Sequence, residues 1–216
     1  MAFDLIKEAI LASGVKGEGI SLYIKRLHLL IQRFILEEGD IRDPLSRART
    51  LFKWLWKKKP GRYKPHGSFR LNEVIDAQIE EMPGPVGNCL GLTLLYNSLL
   101  KLTGIEPLGL FIENAFDIGP HVLTMIQIDE ISIDVENILP NGFDYKGHLN
   151  RTRTLWGDRE LVADIYNSRG NEHFERGELK QALLAYNRAI ELNPLYERAR
   201  LNRAILLDRI KTHEEQ

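Results

Sequence analysis

An α+β fold is what this sequence predicts, and three changes of pattern carry the prediction. Up to about Leu102 the apolar residues recur at helical spacing. From Leu108 to Val135 they come instead in short β-branched runs. Beyond about Ala163 a charged two-helix pattern takes over. Helices followed by antiparallel strands imply a core in which one helix is buried against a sheet, with an all-α unit after it. The expected division is residues 1–158 and 159–216.

The elements follow in order. Phe3, Ile6, Ile10 and Leu11 mark a first helix, which Gly14, Gly17 and Gly19 interrupt. From Ile20 to Glu38, Leu22, Ile24, Leu27, Leu30, Ile31, Phe34 and Ile35 form a broad apolar stripe that Gly39 ends. Asp43 before Pro44 has the form of an N-cap with proline at the first helical position, opening a helix through Lys57. Its core side is Leu45, Ala48, Leu51, Phe52, Leu55 and Trp56. The basic run Lys57 to Lys64 either faces an anionic partner or is a solvated helix C-terminus whose cations complement the dipole. Leu71 to Glu80 reads as a short helix. After the turn-forming run Pro83-Gly84-Pro85-Val86-Gly87-Asn88, a helix opens at Cys89, carries Leu92, Leu95, Leu99 and Leu102 on one face and stops at Thr103-Gly104. Leu108 to Ile112 is a strand, and His121 to Ile128 with Ile131 to Val135 form a hairpin about Asp129-Glu130. Asn137 to about Asp158 reads as loops.

Bulk properties narrow the function. The 216 residues hold 29 basic against 30 acidic side chains, a net charge of −1 that offers polyanions no general attraction. Nucleic acid is not expected as a partner. A single cysteine makes no internal disulfide, and the first thirty residues lack a secretory leader pattern, so the reducing cytosol is the expected compartment. No apolar run reaches the roughly 18 residues a bilayer requires, and no membrane is expected. One cysteine and no paired histidines at ligand spacing argue against zinc. Phosphate-loop and dinucleotide signatures are absent too, so no metal or cofactor is expected.

Cys89 is the informative residue. At the start of a helix, unpaired amide groups and the positive dipole end favour a thiolate. His121 and Asp134 follow on two strands, the chain order of a papain-like or transglutaminase-like nucleophile system. Cys89 would attack a carbonyl, His121 would move the proton and an acid would orient the imidazole. The backbone N–H of Cys89 is one oxyanion donor; Asn88 or Gln78 could supply a second. With a two-residue turn at Asp129-Glu130, Asp134 pairs with Met125 and Glu136 with Leu123. In that register Asp134 is about 13 Å along the ladder from His121, whereas Glu136 is diagonal to it. A bulge near the turn would bring Asp134 across, so both acids stay open. His28, His66, His148, His173 and His213 stand in no comparable context.

Two resemblances sharpen the reading. Tyr166, Gly170, Gly177, Ala182, Tyr186, Ala189 and Pro194 fall at the spacings of a tetratricopeptide repeat. Glu197 to Ile210 would cap it. Gly87-Asn88-Cys89, the helix to Leu102, the Gly104-Ile105 turn, His121 opening a strand and Ile133-Asp134 closing the next resemble the transglutaminase-like superfamily, over about Leu45 to Asn137. That resemblance implies a cysteine-protease-type core with Cys89, His121 and Asp134 as a catalytic triad, acting on amide bonds through a thioester. The expected protein is a cysteine-dependent hydrolase or acyltransferase acting on a protein or peptide, its repeat binding a protein partner. The alternative is an inactive scaffold of the same fold that works through the repeat.

Overall fold

The computed structural model describes residues 3–80 and 82–214. Eight helices and four strands are present among them: α1 Leu5–Ala12, α2 Glu18–Glu38, α3 Pro44–Lys58, α4 Leu71–Ile79, α5 Cys89–Leu102, β1 Pro107–Ala115, β2 Gly119–Ile128, β3 Ile131–Val135, β4 Arg153–Trp156, α6 Asp158–Glu175, α7 Leu179–Leu192 and α8 Glu197–Glu214. The fold is mixed α+β, with an antiparallel sheet in the order β3-β2-β1-β4. No helix among the described residues is long and apolar enough to cross a membrane.

Local signals explain most boundaries. Asp43 caps α3, its carboxylate accepting from the Ser46 N–H at 2.7 Å, with Pro44 at the first helical position. Asn88 caps α5 in the same way, accepting from the Gly91 N–H at 3.0 Å. The β2–β3 register pairs Met125 with Asp134, as a two-residue turn dictates, and Asp129 turns the chain at φ 54.

Helix α5 is the centre of the molecule. Every residue from Leu90 to Leu100 is buried, because α1, α2 and α4 cover it on one side and the sheet on the other. Its sheet side is unusually polar. The Thr93 hydroxyl donates to the Val122 carbonyl at 3.1 Å, Thr124 donates to Asn97 at 2.6 Å, and Asn137 donates to Thr93 and Thr124 at 3.2 and 2.9 Å. Buried hydrogen bonds are directional where apolar packing is not, so this network fixes how α5, β2 and the segment after β3 sit against one another.

Two expectations need correction. The stretch from Asn137 to Asp158 is not all loop, because Arg153–Trp156 forms the edge strand β4. Four residues are too few to display alternation, and the strand is held instead by Trp156, whose ring stacks on Phe111 at 4.2 Å. Helix α6 begins at Asp158 rather than near Ala163, started by Glu160, which reaches back to accept from the Gly157 N–H at 2.9 Å. α6 and α7 then pack as a close hairpin, since a side chain at Gly170 would come within 2.4 Å of the Tyr186 ring. The main apolar core runs from α1 through α5 into α6 and on to Tyr196 and Ala199 without a break.

Candidate active site

Residues 62 to 68 form a cradle that holds Cys89 in place. The Arg62 carbonyl accepts from the N–H groups of Val86 and Gly87 at 2.7 and 3.1 Å, Lys64 donates to the Gly87 carbonyl at 3.0 Å, and Asn88 donates to the Ser68 carbonyl at 3.0 Å. The backbones approach so closely that a Cβ at Gly91 would lie 2.4 Å from the Ser68 oxygen. This explains why glycine stands on either side of Asn88-Cys89-Leu90. Cys89 is a free thiol at the first position of α5, where its N–H has no intrahelical acceptor.

Across a cleft of about 210 Å³, Cys89 and His121 line the same wall. The His121 ring is buried, and its Nε2 sits 2.8 and 2.9 Å from the two carboxylate oxygens of Glu136. Its Nδ1 makes no bond to Glu136, and Cys89 lines the same cleft. Burial opposes a charge on His121, but hydrogen bonding to Cys89 and Glu136 overcomes it and pushes the imidazole up to about 10. Burial likewise works against ionised Glu136, yet hydrogen bonds from His121 and His148 hold its carboxyl below the usual range. The arrangement suits an imidazolium held by the Glu136 carboxylate.

Asp134 stands elsewhere. Both of its carboxylate oxygens accept from the single nitrogen Arg153 Nη2 at 2.7 Å, and burial still keeps its pKa above the ordinary value. The reason is the register: Asp134 is opposite Met125, well along the strand from His121, while the chain after Val135 turns back and carries Glu136 to the ring. Glu136 is therefore the acid brought to His121. Gln78 is also away from the cleft, lining a hollow beside Trp54 and Lys58, whereas Asn88 does line the cleft.

His148 is a participant that sequence reasoning passed over. Its Nε2 lies 3.1 Å from Glu136 Oε2, and the ring packs edge-on against Phe116 and Tyr145. It comes from an irregular loop, where no periodicity marks which side chain turns inward. Tyr63 was also passed over. Its backbone bridges Gly87, two residues before Cys89, and burial raises the pKa of its phenol. The side chain of His213 lies outside the described residues.

His121, Glu136 and His148 bring three ligand atoms within 4.8 Å of one another, a set that could hold a metal ion. Such an ion would compete with the proton that Glu136 helps to hold on His121. The same three groups without an ion make a closed hydrogen-bond relay.

The tetratricopeptide repeat family matches residues 163–196. An uncharacterized protein of Methanocaldococcus jannaschii is 40% identical over 53 residues, which are 24% of this chain and 62% of that protein. The chain thus spans less than two thirds of the length of the curated relative it matches. No solved structure matches the chain. The chain therefore carries a tetratricopeptide repeat, a module that supports protein–protein interaction, packed against the helix that begins with Cys89.

Proposed function

We propose that this chain is a cysteine-dependent amide hydrolase or acyltransferase with a transglutaminase-like core in residues 1–158 and a repeat module in residues 159–216 that engages a protein or peptide. Cys89 is the nucleophile, His121 the proton carrier and Glu136, in place of Asp134, the acid that orients the ring. The observation that carries the reading is the buried His121, with Glu136 on Nε2 at 2.8 Å and Cys89 lining the same cleft.

The chemistry follows from those positions. The thiolate adds to a substrate carbonyl, and the oxygen takes up negative charge facing the Cys89 N–H. The imidazolium gives its proton to the departing amine, the C–N bond breaks and a thioester remains. Water or an acceptor amine then loses a proton to His121 as it attacks the thioester, and the thiolate leaves. A reducing compartment belongs to the proposal, because Cys89 must stay a free thiol.

Thiol reactivity tests it. Iodoacetamide at pH 6 is expected to alkylate Cys89 at least about tenfold faster than free cysteine, and His121→Ala removes the advantage. Equal rates for the protein and free cysteine would overturn the reading. The repeat at 163–196 favours a second one, a scaffold without turnover that acts through protein binding. A bound protein retained by Cys89→Ala and released by Leu201→Glu, on an exposed position of α8, would support it.

A further inference from the structure

The cleft at Cys89 does not end at the cysteine. One wall is Cys89 and His121; the other comes from the repeat, with Asp164, Ser168 and Asn171 of α6 and Arg198 of α8. A second hollow of about 220 Å³ between α6 and α8 shares Asn171 as a wall and continues past Phe174, Tyr186 and Ile205. The two hollows share one side chain; the first also has Phe111, Val122 and Tyr196 in its lining, and the second sets Phe174, Tyr186 and Ile205 beside Glu175 and Asn202.

Asn171 is oriented by its neighbours. Its side-chain oxygen accepts from the Tyr186 hydroxyl at 2.8 Å and from Asn202 at 3.0 Å. A carboxamide whose oxygen is fully used presents its N–H groups outward as donors. Among the charged side chains that line the two hollows, Asp164 accepts from the Tyr196 hydroxyl at 2.6 Å and Arg198 lies 3.4 Å from Glu113, while Glu175 stands in the wall of the second hollow. A neutral chain of amide groups fits such walls better than a polyanion or a polycation. The repeat is held in register with the cleft, since Arg70 forms a forked pair with Glu172 and Arg169 donates to the Ala12 carbonyl at 2.8 Å.

We infer that the repeat and the cysteine cleft form one peptide groove, in which an extended segment lies along α6 with its reacting amide at Cys89, a backbone carbonyl on Asn171 and an apolar side chain in the hollow at Phe174, Tyr186 and Ile205. The inference rests on the catalytic reading of Cys89. From Ser168 to Phe174 a helix advances about 9 Å, which an extended chain covers in about three residues. The substrate is thus a flexible peptide stretch with a large apolar residue about three positions from the amide that reacts.

Electrophilic peptides test it. N-bromoacetyl tetrapeptides and peptidyl chloromethyl ketones place the warhead at opposite ends of a peptide, and each is made with Leu or Ser three residues from it. In one polarity the Leu probe is expected to inactivate Cys89 about tenfold faster than the Ser probe. Ile205→Glu is expected to abolish that preference and leave iodoacetamide alkylation unchanged; Ile205 is half-exposed, so the packing tolerates it. A preference missing in both polarities, or persisting in Ile205→Glu, with iodoacetamide still fast, overturns the groove and spares the catalytic reading. Iodoacetamide no faster than with free cysteine overturns both.

Discussion

At the scale of residues, the two candidate acids divide the problem. Glu136 bonds the ring at 2.8 Å and Asp134 bonds Arg153, so their removal should have different effects. Glu136→Gln is expected to lower Cys89 alkylation at pH 6 by about 10²-fold, and Asp134→Asn to leave it essentially unchanged. The same pair sets a pH window. His121 is raised from 6.5 to about 10, so its contribution to stability is complete below 6.5 and lost as pH climbs through about 10. Glu136 is held below its ordinary 4.5, so its contribution is present above that value and is lost as pH falls through its lower folded value. Urea midpoints are expected to fall at both ends in the wild type and to flatten in Glu136→Gln. A midpoint unchanged between pH 6 and 10 would refute the imidazolium. Register parity had already placed Glu136 diagonal to His121. The preference for Asp134 came from the family resemblance, which fixes an order of residue types and not where a given chain turns after its strand.

At the scale of elements, the nucleophile helix is held by shape as much as by bonds. Gly91 lies one residue past Leu90 with the Ser68 carbonyl oxygen where a methyl would go, and that oxygen and the Phe69 Cα are backbone, which yields less readily than a side chain. Gly91→Ala is expected to cost about 1–3 kcal/mol in urea unfolding and to slow alkylation of Cys89, because the cradle must open to admit it. The polar seam of Thr93, Asn97, Thr124 and Asn137 does the complementary task on the sheet side. It holds the start of β2, which carries His121, and the segment after β3, which carries Glu136, against the helix that begins with Cys89. Only Cys89 and its turn-rich approach were legible locally; a hydrogen-bond seam joining residues 93, 97, 124 and 137 has no signature in sequence spacing.

At the scale of the molecule, the repeat and the core are parts of one packed body. Leu161, Val162 and Ile165 share a core with α1 and α5, and Arg70 ties α4 to Glu172 of α6. Arg70→Ala is expected to weaken that docking by about 1 kcal/mol, read as faster amide exchange through α6 with α2 and α3 unaffected. Exchange rising equally everywhere would mean that the latch belongs to global stability and not to the joint.

The sequence by itself determined the first five helices, the strands up to Val135, the cap at Asp43, the hairpin register and the repeat, because each depends on residues a few positions apart. Tertiary structure alone decided that His148 joins Glu136 beside His121, that Gln78 does not reach the cleft, and that α6 walls the cysteine. Those outcomes depend on how an irregular loop folds back and how two units dock. Such choices are made by the summed packing of distant segments, so no short window of residues carries them.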